Sequence, residues 1–161
     1  MSRRRVVVTG IGALTPIGNN TKEYWEGLTS GRNGAGLITK FDVSSFNTHF
    51  ACEVKNFDPL VYMEKKELRR MDQFTHYALA TATMAHEDSK LDLSKINLER
   101  AGVVFGSGIG GMVTWEEEHS AFINGGARRI SPFFIPKMIP DIAAGQISIR
   151  FGLKGPNYAT V

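Results

Sequence analysis

The sequence predicts an α/β fold, and three segments carry this prediction. Residues 5–9 form a β-branched run closed by Gly10, which is typical of a strand buried on both faces of a sheet. From Leu68 to Ala85 apolar residues recur at steps of three and four, as on the buried face of one long helix. Residues 101–105 repeat the strand pattern and lead into a glycine-rich loop at 106–111. Strands that alternate with helices along one chain indicate a single α/β unit.

A short helix is expected after the first strand. Asn20 followed by Glu23 matches a capping box, which opens a helix. We expect this helix to bury Trp25 and Leu28 and to stop near Gly31, since glycine commonly follows the last helical turn.

Four further elements follow from the same patterns. Residues 50–54 alternate between apolar and polar side chains and predict a strand. A helix is expected after the glycine-rich loop, and an irregular, strongly apolar segment is expected between Ser131 and Pro140. Asp141 is expected to begin another helix that ends at Gly152, and residues 157–161 predict a strand that enters the core. This β-prone C-terminal run predicts that the chain is a truncated one.

The composition excludes several classes of protein. The 161 residues carry 19 lysines and arginines against 16 aspartates and glutamates, a net charge of +3, which is too small to make nucleic acid the expected partner. Apolar runs stay well short of the roughly 18 residues that a membrane-spanning helix needs. Residues 3–5 are basic but lack the apolar core of a signal peptide behind them, and Cys52 is the single cysteine, so no internal disulfide can form. We therefore expect a cytoplasmic protein without a membrane span.

The residues with catalytic chemistry do not form a recognisable set. Cys52 lies beside Glu53, which opposes thiolate formation, so we expect a buried structural thiol. The histidines lack the spacing of metal ligands, and no complete Ser/His/Asp or Cys/His set can be argued; they are His49, His76, His86 and His119. We expect these histidines at the surface or the edge of the core, and no metal site.

The glycine-rich loop leaves one alternative open. Residues 106–111 match the pattern G-x-G-x-x-G after a strand, in which backbone amides bind a pyrophosphate. The acidic residue required about 20 positions later is missing, because Glu118 comes too early and Asp141 too late. A nucleotide-dependent oxidoreductase is therefore the less favoured hypothesis for this chain.

Two basic clusters stand out against the low net charge. The first lies at the expected start of the long helix and consists of Lys65, Lys66, Arg69 and Arg70. Arg128 and Arg129 form the second, just before the proline-rich segment. Such runs are commonly solvated faces, but cations near a helix start oppose its dipole, so an anion or an acidic partner is a second interpretation.

Taken together, these segments resemble the N-terminal part of β-ketoacyl-acyl carrier protein synthase II. The blocks that carry the resemblance occur in the family's order and cover nearly the whole chain; they are residues 6–12, 15–18, 70–72, 106–111, 131–136 and 155–157. Each block alone is weak, and their combination is specific. The residues at 15–16 and 131–134 resemble those of the type II synthases more than those of the type I synthases.

The resemblance implies a thiolase-type αβαβα layered sandwich in a homodimer. Residues 1–161 would be most of the first α/β half, truncated before the nucleophile. The family condenses an enzyme-bound acyl thioester with malonyl-carrier protein, using a cysteine that lies a few residues past a strand like 157–161 and two histidines of the second half. The resemblance thus implies no catalytic residue within this chain, and no metal or redox cofactor.

The resemblance also implies roles for seven residues. Ile109 matches a position that lines the acyl pocket, and Phe134 matches one that reaches this pocket across the dimer interface. The positions that match the docking surface for the acidic acyl carrier protein are Lys66, Arg69, Arg70, Arg128 and Arg129. A non-catalytic relative, such as a polyketide chain-length partner, remains the alternative because it shares the fold and lacks the cysteine.

Overall fold

Helices and short strands alternate along residues 3–161, the part of the chain described by the computed structural model. The strands are β1 (Gly36–Leu37), β2 (Phe50–Ala51), β3 (Val103–Gly106) and β4 (Asn157–Thr160). The helices are α1 (Thr21–Thr29), α2 (Lys65–Leu68), α3 (Gln73–Ser89), α4 (Met112–Gly125), α5 (Phe134–Met138) and α6 (Ile142–Phe151). The chain divides into two units: the first runs to Asp58 and includes Thr83–Lys90, and the second comprises Pro59–Ala82 and Leu91–Val161.

In the first unit, α1 begins and ends as its sequence predicts. The Asn20 side chain accepts a hydrogen bond of 2.9 Å from the Glu23 amide, and Gly31 adopts a φ of +66° just after the helix. The prediction that Trp25 and Leu28 are buried is wrong, because both are exposed. Gly27 is the buried residue of α1, and it lies against Ile17. The small residue, rather than the large ones, therefore marks the packed face.

The predicted strand at residues 5–9 is not formed. These residues have no strand assignment, and Val6 is 90% exposed. A strand requires a hydrogen-bonded neighbour, and within residues 3–161 the paired strands are β1 with β2 and β3 with β4. The strand predicted at 50–54 is shorter than expected, since β2 covers Phe50–Ala51 and pairs antiparallel with β1.

The predicted long helix is interrupted. It consists of the short α2 and the long α3, with a turn at residues 69–72 between them. Asp72 stands just before α3, and its carboxylate accepts a hydrogen bond from the Phe74 amide, as a helix-capping residue does. The predicted apolar stripe is confirmed, because Met71 and Ala78 are buried and Phe74 packs against the same core.

The core of the second unit lies between α3, α6 and the sheet of β3 and β4. Strands β3 and β4 pair in parallel, and Val103 and Phe105 pack against Ile147 of α6 and its neighbours. The helix prediction for 141–152 is confirmed, with Ala143, Ala144 and Ile147 buried; Phe151 is half-buried, and Gly152 ends the helix.

Both strands of this sheet leave one face open. Val104 is 66% exposed and Tyr158 is also exposed, because α6 covers only the opposite side. The expectations that 101–105 is buried on both faces and that 157–161 enters the core are therefore wrong, although both segments are strands as predicted. Asn157 anchors β4 to α6 by donating from its side-chain amide to the Ala144 carbonyl at 2.9 Å.

Among residues 3–161, no helix combines the length and the apolar character that crossing a membrane requires.

His76 lies on α3, and it is half-buried. Its Nε2 lies 3.2 Å from the Leu68 carbonyl oxygen at the end of α2. Burial lowers the pKa of His76 below its usual 6.5, and Lys137 acts in the same direction, whereas the Leu68 carbonyl and Asp72 oppose this shift. The neutral imidazole is thus the form that the folded protein prefers.

This preference predicts a pH-dependent contribution to stability. Because the pKa of His76 is lower in the folded than in the unfolded chain, its contribution is present above the unfolded pKa near 6.5 and is lost as pH falls through the folded pKa. We expect the melting temperature of the protein to fall more steeply between neutral and mildly acidic pH than that of a His76→Gln variant. Parallel melting curves for the two proteins would contradict this.

Candidate functional site

A buried carboxylate joins two of the sequence blocks at the start of α4. Asp72 is 6% exposed, and its Oδ2 accepts hydrogen bonds from the Thr114 amide at 2.9 Å and from the Thr114 hydroxyl at 2.6 Å. Thr114 lies in the first turn of α4, where the helix dipole favours a negative charge. This contact fixes the beginning of α4, and with it the glycine-rich loop that leads into the helix.

The glycine-rich loop is held against the end of α5. The Gly111 amide donates to the Met138 carbonyl at 2.9 Å, and the Gly110 amide donates to the Ser107 hydroxyl at 3.0 Å. Gly110 has a φ of +83°, and a Cβ added there would lie 2.4 Å from the Met138 carbonyl oxygen. Only glycine satisfies both the backbone conformation and this close approach.

This packing places the two predicted pocket residues on neighbouring elements. Ile109 lies in the glycine-rich loop and is 65% exposed, while Phe134 is the first residue of α5 and is half-buried. Since the loop is hydrogen-bonded to the last residue of α5, both side chains belong to one packed assembly. Their assignment to an acyl pocket stays a prediction.

The segment at 131–140 is more regular than predicted. It contains α5, because Pro136 falls in the first turn of that helix, where an amide hydrogen has no helical acceptor. The Ser131 amide donates to the Glu118 carboxylate at 2.7 Å, which ties the segment to α4. The segment is therefore a short helix fastened at both ends.

The five predicted docking residues are all exposed. Lys66 lies on α2, Arg69 and Arg70 follow it, and Arg128 and Arg129 lie on a single 3₁₀ turn, Ala127–Arg129. The first cluster therefore lies on α2 and directly after it, and not at the start of the long helix α3. The argument that these cations oppose the dipole of the long helix therefore no longer applies.

The first basic cluster borders a cleft of about 330 Å³. Lys66 and Arg70 line this cleft together with Glu64, Glu67, Met71 and Gln146. Glu67 forms an ion pair of 3.1 Å with Arg150. The negative charge that Glu67 brings to the cleft is therefore paired with the positive charge of Arg150.

An aromatic contact connects the first cluster to the segment that follows the second. The Arg70 guanidinium lies over the Phe133 ring, with 5.5 Å between its central carbon and the ring centroid. Phe133 follows Arg129 by four residues, a span of at most about 15 Å of chain. Both basic clusters therefore border the beginning of the 131–136 block.

The remaining candidates for catalysis form no catalytic or metal-binding group among the described residues. Cys52 is exposed, so the prediction of a buried thiol is wrong; the alternation after β2 turns Ala51 inward and Cys52 outward. His119 stacks on Trp115 with 5.1 Å between the rings. Within residues 3–161, no three side chains of His, Cys, Asp or Glu are grouped as metal ligands would be.

Asp72 and Phe133 entered the sequence analysis only as members of blocks. An aspartate directly before a helix is a capping signal, which could have located the start of α3. Nothing in the sequence indicates that Phe133 meets Arg70, because this contact depends on the packing of distant segments.

The geometry of the glycine-rich loop does not suit a dinucleotide. In a dinucleotide site the amides at the helix start point to a pyrophosphate. Here the Gly111 amide binds the Met138 carbonyl and the Thr114 amide binds the Asp72 carboxylate. The helix start is already occupied by a negative charge, which contradicts the oxidoreductase hypothesis.

Known structures define the class to which this fold belongs. The chain superimposes on the ishigamide ketosynthase/chain length factor with a TM-score of 0.90 at 28% identity, covering 99% of this chain and 40% of that one. For the ketosynthase of the AntDE:AntF complex, a type II polyketide synthase, the TM-score is 0.79 at 25% identity, covering 98% and 41%. The fold is thus that of the thiolase-like ketosynthases, as the sequence predicts.

The family assignment follows from the sequence. Residues 3–161 match the family model described as beta-ketoacyl synthase, N-terminal domain, and the chain belongs to this family. It is 51% identical over 158 residues to the 3-oxoacyl-[acyl-carrier-protein] synthase 2 of Staphylococcus aureus strain COL, covering 98% of this chain and 38% of that protein. The synthase 2 of Synechocystis sp. is 45% identical over 161 residues, covering 100% and 39%. The chain therefore spans about two fifths of the length of these relatives.

Two glycines of the loop provide a matched test of its packing. We expect Gly110→Ala to destabilise the protein by more than about 2 kcal/mol, because it combines a left-handed backbone conformation with a collision against the Met138 carbonyl. Gly108→Ala is the control, since a Cβ there meets nothing within 4 Å. Thermal unfolding of both variants measures the difference, and equal melting temperatures would contradict the proposed packing.

Proposed function

We propose that the protein to which this chain belongs is a β-ketoacyl-acyl carrier protein synthase II of fatty acid elongation. The observation that carries this proposal is the 51% identity, over 98% of the chain, to a 3-oxoacyl-[acyl-carrier-protein] synthase 2. In the proposed reaction a cysteine thiolate takes an acyl group from a carrier thioester. Malonyl-carrier protein then loses CO₂, its carbanion attacks the enzyme-bound acyl thioester, and the thiolate leaves as the new carbon–carbon bond forms.

In the proposed reaction, no residue of this chain forms or breaks a covalent bond. The nucleophilic cysteine and the two histidines would lie outside these 161 residues, and the 161-residue chain alone would be inactive. The setting of Cys52 supports this assignment, because its thiol is exposed and lies next to the acidic Glu53, which opposes thiolate formation. We also propose that the enzyme acts in the cytoplasm, where an exposed thiol stays reduced.

The part proposed for this chain is one wall of the acyl pocket. Ile109 would line the pocket, and Phe134 would reach the pocket of a second subunit in a homodimer. In support, the loop, α4 and α5 each carry exposed apolar side chains, namely Ile109, Met112, Val113 and Ile135. Large exposed apolar side chains are expected on a surface that another subunit covers.

The second proposed role is the docking of acyl carrier protein. An acidic partner suits a protein whose net charge is only +3 but whose exposed cations gather around α2 and Arg128–Arg129. The AntDE:AntF structure is that of an acyl-carrier protein in complex with its ketosynthase. This likeness supports a carrier protein as the partner that brings acyl and malonyl thioesters.

The second candidate is a non-catalytic chain-length partner. Such a partner shares the fold, since the chain matches the ishigamide ketosynthase/chain length factor, a name that covers both kinds of protein, with a TM-score of 0.90 at 28% identity. An assay of the full-length protein for CO₂ release from malonyl-carrier protein, together with mass spectrometry of the acylated enzyme, separates the two. An acylated cysteine and condensation product support the synthase, whereas their absence from a folded, carrier-binding protein supports the partner.

Charge reversal in the first basic cluster tests docking. We expect Lys66→Glu, Arg69→Glu and Arg70→Glu together to weaken carrier binding by the full-length protein at least tenfold at low salt, and much less at high salt, because screening removes the difference. Titration calorimetry measures both affinities. The control reverses Lys22, Lys55 and Lys90, exposed residues of the first unit, and changes the net charge equally. Equal losses in both triple variants would contradict a local docking surface.

A second substitution tests the pocket. We expect Ile109→Phe to lower kcat/KM for long acyl chains relative to short ones by about tenfold or more, since the added volume fills the pocket at a cost of about 1–3 kcal/mol. Ile109→Val serves as the control because it removes volume. Rates measured with short and long acyl-carrier substrates give the ratio, and an unchanged ratio in Ile109→Phe would exclude Ile109 from the pocket.

A further inference from the structure

The contact between Arg70 and Phe133 assigns a second function to the aromatic pair at 133–134. We propose that Phe133 is a positioning residue of the docking surface, whose ring holds the Arg70 guanidinium in the orientation that receives a carboxylate of the acidic carrier protein. This inference rests on the proposed function, because it concerns the same partner.

The geometry of the contact favours this role. The guanidinium lies 5.5 Å from the ring centroid, and Phe133 remains 42% exposed, so the pair is at the surface. A guanidinium that lies over an aromatic ring uses its face for the ring and keeps its N–H edges for other acceptors. Those edges match the two oxygens of a carboxylate. The ring and an acidic group of the partner can therefore bind Arg70 at the same time.

Both ends of the contact are fixed by the backbone. On one side the Arg70 amide donates to the Glu67 carbonyl at 2.9 Å, and Asp72, two residues later, is held by Thr114. On the other side the Phe133 amide donates to the Ser131 hydroxyl at 3.1 Å, and the Phe133 carbonyl accepts from the Lys137 amide at 3.0 Å. The remaining freedom belongs to the long Arg70 side chain, and the ring restricts it.

Restricting this side chain before binding contributes to affinity. An arginine side chain loses conformational freedom when a partner immobilises it. If the ring has already ordered the Arg70 side chain, the carrier protein binds without that further loss of conformational freedom. The charges of the cleft agree, because Glu67 is paired with Arg150 and does not need Arg70 as its partner.

Two adjacent aromatic residues, Phe133 and Phe134, would have separate roles. Phe133 turns toward Arg70, and Phe134, which begins α5, is the residue proposed for the acyl pocket. Docking and acyl binding would then share the short segment at 131–138 while using different rings.

A double-mutant cycle in the full-length protein tests this inference. The probe is acyl carrier protein loaded with an acyl group, and the measured quantity is its Kd at low salt for the wild type, Phe133→Leu, Arg70→Gln and the double variant. We expect Phe133→Leu to weaken binding about two- to fivefold when Arg70 is present, and by less than about 1.5-fold in the Arg70→Gln background. Phe133→Tyr keeps the ring and is expected to retain wild-type affinity.

Two further variants make the outcomes distinct. Phe46→Leu makes the same substitution at an exposed phenylalanine of the first unit and is expected to leave Kd unchanged. Phe133→Met replaces Phe133→Leu if the latter does not fold, as judged by melting curves. Loss of affinity in Arg70→Gln with none in Phe133→Leu, or equal effects of Phe133→Leu in both backgrounds, would overturn the positioning role. An Arg70→Gln variant with wild-type affinity would show that Arg70 receives no carboxylate of the carrier protein and would also overturn the positioning role, whereas the proposed synthase activity is tested separately by CO₂ release and acylation.

Discussion

The arrangement of the second unit depends on the buried carboxylate of Asp72. A buried carboxylate is costly unless hydrogen bonds compensate it, and Thr114 supplies two of them at 2.9 and 2.6 Å. The same residue caps α3 through the Phe74 amide, so one side chain connects the starts of two helices. Its position fixes the break between α2 and α3, and three of the proposed docking residues, Lys66, Arg69 and Arg70, lie on α2 or in this break.

The contacts around Asp72 bring the proposed docking surface and the proposed pocket wall onto one frame of packed elements in the second unit. Asp72 holds the first turn of α4, and this contact also fixes the position of the glycine-rich loop, because the loop leads directly into that turn. The Gly111 amide in turn donates to the Met138 carbonyl of α5. Arg70 and Phe133 close the circuit from α2 back to the segment before α5. A carrier protein that binds at α2 would therefore bind next to the segment that carries Phe134.

The same frame explains which hypotheses the structure disfavours. A pyrophosphate would need the amides that Asp72 and Met138 already occupy, so the G-x-G-x-x-G pattern serves packing in this protein. The open faces of the β3–β4 sheet and the exposed run Val6–Val8 carry apolar side chains that residues 3–161 do not cover. Relatives that share this fold are more than twice as long as this chain. The family assignment depends on the sequence and on the path of the chain, and not on whether these apolar side chains are covered.

The sequence by itself determined the type of several elements, both ends of α1, the end of α6 and the family, because these depend on local patterns: the Asn20 cap, the Gly152 stop, the apolar stripe of α3 and the order of the short blocks. It did not determine burial or pairing. Residues 5–9 have the composition of a strand but no neighbour to bond with, and Trp25, Cys52 and Val104 are exposed although their patterns predict burial. Only the tertiary structure decided that Asp72 meets Thr114 and that Phe133 meets Arg70. Such contacts join residues distant in the chain, and their free energy depends on distances that no local pattern encodes.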